Sequence, residues 1–131
     1  MDVRIERAQA RSWADLIEDP ATCKFLNMLL LQSRELIGIG VNCTPPRFVP
    51  NLISSAAEVF KEVDSAPLLI AYPNSGEGWI NKTGKWDGDS DLQGKDLGAV
   101  GLSWRKCGAQ VIGGCCRTTP EYITSLAEAL S

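Results

Sequence analysis

Uninterrupted apolar runs alternate along this chain with segments whose apolar residues return once per helical turn. Leu36 to Val41 is continuous apolar residues and glycine with no polar alternation, which predicts a short strand buried on both faces. Asn51 to Asp64 changes period: Leu52, Ile53, Ala56, Val59, Phe60 and Val63 share one side while Ser55, Glu58 and Lys61 fall on the other, so a helix with an apolar stripe is expected. Leu68 to Tyr72, after Pro67, is a second buried strand. From Pro73 to about Asp96 the chain is rich in Gly, Asp and Asn, a loop long enough to suggest function rather than simple connection. Leu97 to Cys107 is a helix stopped by Gly108, which suits a left-handed C-cap. Val111 to Gly113 makes a third strand. Thr119 and Pro120 then supply the N-cap and first position of a last helix, with Ile123, Leu126, Ala127 and Leu130 as its stripe.

Strand, helix, strand, helix, strand, helix is a series of βα units, so the expected class is α/β with parallel strands and helices packed outside. These units occupy residues 35–131, and residues 1–34 form a helical lead-in to the same single domain. Loops at the C-terminal ends of such strands share one face, the face that carries active sites in barrels.

Composition narrows the partners. The chain has 131 residues, 44% apolar and 22% charged, which is ordinary for one globular domain. Its net charge of -3, without a basic run, leaves no footprint for nucleic acid. No membrane association is expected either: the apolar stretch from Phe25 to Leu31 is broken by Asn27 and is far shorter than the ~20 residues a span requires. Met1 to Arg11 is charged and has no apolar signal core, so a cytoplasmic location is expected. Five cysteines without an export signal argue for reduced thiols that a metal can use. Histidine is absent, which removes Ser-His-Asp and Cys-His catalysis and every zinc motif containing histidine.

Three of those thiols stand where strands end. Cys43 closes the run Leu36 to Asn42, and Cys115 and Cys116 close Val111 to Gly114. Thiolates are soft ligands that favour zinc, and three protein ligands with an open fourth position mark a catalytic zinc site. Cys23 and Cys107 end no strand and are better read as small buried hydrophobes. A disulfide between neighbours Cys115 and Cys116 would strain the backbone. Gly38 and Gly40 fail as a dinucleotide fingerprint because Cys43 stands at the third glycine, and they are expected to let the strand end approach ligand or metal. Asp87, Asp89 and Asp91 imitate a calcium loop, but Leu92 and Gly98 occupy its required glycine and glutamate, so a solvated acidic loop is expected. Trp79 and Trp86 either cap a pocket or pack the loop. Arg117 and the helix starting at Thr119 could receive a carboxylate, although capping alone explains that run.

Gly40-Val41-Asn42-Cys43-Thr44-Pro45-Pro46, Tyr72-Pro73-Asn74-Ser75-Gly76-Glu77 and Gly113-Gly114-Cys115-Cys116-Arg117-Thr118-Thr119-Pro120, in that order and spacing, resemble the homocysteine S-methyltransferases. The resemblance covers roughly residues 35 to 131 and implies a zinc-containing (β/α)8 barrel with Cys43, Cys115 and Cys116 as metal ligands. It further implies Zn2+ as cofactor, with homocysteine and a sulfonium methyl donor as substrates. Asn42, Tyr72, Asn74 and Glu77 would line the substrate mouth, with Glu77 either facing the sulfonium or lying as a surface carboxylate. The Tyr72 to Glu77 segment is closer to forms using S-methylmethionine or S-adenosylmethionine than to those using betaine. Such a barrel needs eight βα units and ~250 residues; this chain supplies about three, so it is expected to be the C-terminal, incomplete part of that homocysteine-binding domain. Unpaired strand edges would favour self-association or a complementing barrel half. Two functions follow: zinc-dependent methyl transfer to homocysteine giving methionine, or a truncated non-catalytic homologue that only binds zinc or a partner chain.

Overall fold

The computed structural model describes residues 37–131 apart from 63 and 81. The expected lead-in over 1–34, with Cys23 and the stretch from Phe25 to Leu31, lies outside the described residues, as does Val63. Strand β1 (Gly38–Asn42) is followed by a 3₁₀ turn (Pro46–Phe48), helix α1 (Val49–Phe60), strand β2 (Leu68–Tyr72), the short strands β3 (Gly78–Ile80) and β4 (Lys85–Asp87), helix α2 (Leu97–Lys106), strand β5 (Val111–Ile112) and helix α3 (Pro120–Leu130). The sheet order β1-β2-β5 is parallel throughout, with Gly38 opposite Leu68, Asn42 opposite Tyr72 and Ile70 opposite Val111. Central β2 thus receives a neighbour on each side, as βα connections require.

The expectation of strands buried on both faces is corrected. Along β2, Leu69 and Ala71 are buried whereas Leu68 and Tyr72 are exposed, and in β1 only Val41 is buried. Among the described residues, helices cover one face of this sheet, so side chains alternate in their burial. Ile53 of α1 lies on the covered face near Leu69, and both flank Gly108.

Helix α1 starts two residues before the expected position and stops at Phe60. Pro50 fits there because the first helical turn needs no amide donor. Val49, Leu52, Ile53, Ala56 and Phe60 are buried, but Val59, expected in the stripe, is 43% exposed. At about 100° per residue it falls beyond Leu52 at the stripe's edge. Helix α2 is capped by the Asp96 carboxylate, which accepts from the Ala99 amide at 3.1 Å. It terminates before Gly108, whose φ of 112° is one that side chains other than glycine's rarely adopt.

Helices α2 and α3 meet through glycine. A Cβ on Gly98 would lie 2.7 Å from that of Ala129, and one on Gly101 would lie 2.4 Å from a Leu126 methyl. This close approach turns α3 about its axis relative to the expected stripe: Tyr122 and Leu126 are buried, while Ile123 is 44% exposed and Ala127 is also exposed. Trp104 of α2, 1% exposed, joins this pair to the core. Cys107 packs against that core as a small hydrophobe, as expected.

Among the described residues the buried Tyr122 hydroxyl has no hydrogen-bond partner, and burial pushes its phenol up to about 12. Phenylalanine keeps the ring and removes that group, so Tyr122→Phe is expected to raise unfolding free energy by about 1 kcal/mol in chemical denaturation.

The segment from Pro73 to Asp96 contains a hairpin rather than only loop. Strands β3 and β4 pair antiparallel, with Trp79 opposite Trp86 and their rings edge to face at 5.3 Å. Three-residue strands exposed to solvent carry too little apolar alternation to reveal themselves in sequence. No helix among the described residues is long and apolar enough to cross a membrane.

Candidate metal centre

The ends of β1, β2 and β5 lie along one edge of the sheet, and the segment after β2 ties the other two together. The Cys43 amide donates to the Tyr72 carbonyl at 3.1 Å and the Asn74 amide to that of Thr44 at 3.1 Å. On the other side, the Cys115 amide donates to Pro73 at 2.8 Å and the Ser75 amide to the Cys116 carbonyl at 3.2 Å. These bonds bring the sulfur atoms of Cys43, Cys115 and Cys116 within 4.8 Å of one another. Cys43 is remote in sequence from Cys115 and Cys116, and they meet because β1 and β5 run parallel on either side of β2.

The donor set fits a metal. A tetrahedral ion with sulfur bonds of about 2.3 Å separates its ligands by about 3.8 Å, and Cys115 and Cys116 hold their sulfurs 3.8 Å apart. The four described cysteines are free thiols, so this spacing is not a vicinal disulfide. Burial raises the Cys43 thiol, but hydrogen bonds from Cys116, Cys115 and Asn74 outweigh it and hold this thiol below its ordinary value. Cys116 is pushed up to about 11 by its hydrogen bonds with Cys43 and Cys115 and by burial. Three thiolates this close would repel one another, and a bound cation offsets that charge.

Local backbone geometry is unusual at this edge. Cys43 has φ 51° and Arg117 φ 62°, left-handed conformations that cost a side-chain-bearing residue about 1–2 kcal/mol. Gly114 admits no side chain, because a Cβ would meet the Thr118 hydroxyl at 2.3 Å. That hydroxyl donates to the Cys115 carbonyl at 2.7 Å and tightens the turn bearing both thiols.

The substrate residues expected from sequence divide into two kinds. Asn42 is exposed and Tyr72 is partly exposed at the strand ends, whereas Asn74 and Glu77 are 4% and 9% exposed. Asn74 donates to the Cys43 carbonyl at 2.9 Å and accepts from the Gly76 amide at 2.9 Å. Glu77 accepts from the Ser75 hydroxyl and, at 3.0 Å, from Arg117 Nε. Glu77 is therefore not a surface carboxylate, and Arg117 spends its charge inside the chain while Thr119 caps α3.

Asp91 departs from the solvated loop expected for it. Both its oxygens accept from Arg47 Nη1, at 3.0 and 2.9 Å, and its amide donates to the Ser75 carbonyl. Periodicity carries no trace of Ser75, Arg47 or Asp91 as supports, since their partners are remote in sequence. The only textual hint is a polar cluster directly after a buried strand.

Burial raises the Glu77 carboxyl, but Ser75, its own amide and the Arg117 charge together hold it below the ordinary glutamate range. A lowered folded value stabilises the fold fully above the unfolded value of about 4.3 and is lost as pH falls through the folded one. Glu77→Gln is thus expected to be less stable than the parent at neutral pH, with the difference shrinking as pH falls below about 4.3, measured by denaturation across pH.

Comparison with known proteins agrees with the site. The family profile described as homocysteine S-methyltransferase matches residues 11–130, beginning upstream of the resemblance visible from about residue 35. Homocysteine S-methyltransferase 1 of Arabidopsis thaliana is 37% identical over 101 residues, covering 77% of this chain and 29% of the relative. Homocysteine S-methyltransferase 4 of Zea mays is 44% identical over 94 residues, 70% of this chain and 26% of the relative. Selenocysteine methyltransferase of Astragalus bisulcatus is 38% identical over 97 residues, 74% of this chain and 27% of the relative. The chain spans less than a third of the length of each of these relatives. A profile match over most of its residues, together with thiols converging on one sheet edge, shows that this chain belongs to the homocysteine S-methyltransferase family.

Proposed function

We propose that this chain carries the metal-holding part of an enzyme that transfers a methyl group from S-methylmethionine or S-adenosylmethionine to homocysteine, giving methionine. The observation that carries this reading is the convergence of Cys43, Cys115 and Cys116 within 4.8 Å at the C-terminal edge of a parallel sheet. They would hold Zn2+, which would supply the positive charge that keeps an acceptor thiol ionised at neutral pH. The Astragalus relative is named a selenocysteine methyltransferase, and selenium is a chemical neighbour of sulfur, which supports a chalcogen nucleophile here.

The reaction needs no general base, in keeping with a chain that has no histidine. A bond forms between the acceptor sulfur and the methyl carbon as the bond to the sulfonium breaks. The electron pair leaves with the donor sulfur, so an anion and a cation become two neutral thioethers, the acceptor thiol having already lost its proton to solvent. Asn42 and the partly exposed Tyr72 stand beside Cys43 where substrate would lie, while Asn74 and Glu77 point their polar atoms into the protein. The uncovered face of the three-stranded sheet, including exposed Leu68, Tyr72 and Val111, suits the remaining strands of a (β/α)8 barrel.

The test is zinc content per chain together with methionine formation from homocysteine and each sulfonium donor, using the full-length protein. Zinc bound at one per chain with methionine formed is expected. Zinc without methionine would reduce the role to binding, and methionine formed by a variant lacking all three cysteines would overturn the reading.

A further inference from the structure

Among the described residues, two that are not glycine adopt left-handed backbone: Cys43, one of the three clustered thiols, and Arg117, which directly follows another. Each is fastened by a buried side chain from the same short segment after β2. Asn74 Nδ2 binds the Cys43 carbonyl at 2.9 Å and lies 4.0 Å from its sulfur. Glu77 holds Arg117 Nε at 3.0 Å, and Ser75, which donates to Glu77 through its hydroxyl, also donates its amide to the Cys116 carbonyl at 3.2 Å. Cys116, Arg117, Glu77 and Ser75 therefore form a closed ring of bonds around the turn that presents two thiols.

We infer that Glu77 and Arg117 form a clasp, with Asn74 as its counterpart at Cys43, whose role is to preset the thiols at metal-binding separation. Glu77 is a positioning residue in this account, and it rests on the reading that the three cysteines hold a divalent metal. Strained backbone persists only where its surroundings over-determine it, and here one ion pair and one amide side chain add to the backbone bonds that already tie these turns to the segment after β2. A carboxylate 9% exposed, with one oxygen on a hydroxyl and the other on a guanidinium, has its acceptor sites directed inward rather than toward a donor molecule. Asp91 buttresses the segment from outside, since Arg47 bridges it to the Gly76 carbonyl at 3.2 Å. Supports of this kind orient the groups that touch a metal, and their loss weakens binding by about 10- to 100-fold.

The test titrates full-length protein with Co2+ alone, using its visible ligand-field bands and competition with a chromophoric chelator. Glu77→Gln and Arg117→Gly are each expected to bind Co2+ about 10- to 100-fold more weakly than the parent, with altered bands. Their metal-free forms are expected to retain the parent's circular dichroism. Arg117→Gly is the sharper variant, because glycine takes a φ of 62° freely and so keeps the turn while losing the clasp. Parent-like affinity and spectrum in either variant would overturn the clasp while leaving the metal reading intact. Loss of metal that tracks loss of fold in the metal-free proteins would reduce Glu77 to a structural residue and also overturn it. A parent protein that binds no Co2+ would remove the metal reading and the clasp together.

Discussion

Alanine at Cys43 is expected to lower Zn2+ affinity by about 100- to 1,000-fold, and methyl transfer with it. Zinc sites of this size gain roughly 10–16 kcal/mol on binding, so one ligand among four carries about 3–4 kcal/mol, or two to three decades of affinity. The loss should leave the metal-free fold in place, because Cys43 lies at the strand end and is only half-buried. Its φ of 51° supplies a control. Cys43→Gly relieves the backbone strain that alanine retains, so the glycine variant should be as stable as the parent or more so, and still bind poorly. Chelator competition gives the affinity, and thermal unfolding of metal-free protein gives the stability. Parent-like affinity in both variants would show that the thiol contributes nothing to metal binding.

Gly40→Ala is expected to destabilise the protein by about 3 kcal/mol or more, above the usual range for overpacking. A Cβ there would lie 1.9 Å from the Ile70 carbonyl oxygen and 2.6 Å from its carbon. Neither atom can rotate away, because Gly40 and Ile70 are partners in the β1-β2 ladder. The only relief is to part the strands, and that ladder continues into the bond from the Cys43 amide to Tyr72. Weakened metal binding should accompany the lower unfolding midpoint. Gly38 has the same neighbour but meets mainly the flexible Ile70 side chain, so Gly38→Ala should cost less. Chemical denaturation of both variants gives the comparison. Both glycines were expected to admit a ligand or metal; in the structure they admit the neighbouring strand.

The three parallel strands were legible as short apolar runs, although one face of their sheet is uncovered among the described residues. Leu68 to Tyr72 agrees with β2 at both ends, and the thiols at 43, 115 and 116 were found from their positions after such runs. The helical caps were legible too, since Thr119 and Pro120 act through their immediate neighbours. What failed was the choice between adjacent apolar residues on a helix. Val59 and Ile123 have the right period, but the neighbouring surface determines which side of a stripe is covered. On α3 that decision belongs to Gly98 and Gly101, which draw Leu126 and Ala129 inward and leave Ile123 outside.

Sequence by itself determined the alternation of strand and helix, the parallel class, the placing of three cysteines at strand ends and the absence of histidine from their chemistry. These depend on local period and on residue chemistry, which each segment carries without its neighbours. Only the tertiary structure decided that Glu77 turns inward to Arg117, that Asn74 supports Cys43 and that Asp91 braces the segment from Arg47. Such bonds join residues 31 to 44 positions apart. Their existence depends on which strands lie side by side, and no local pattern records that.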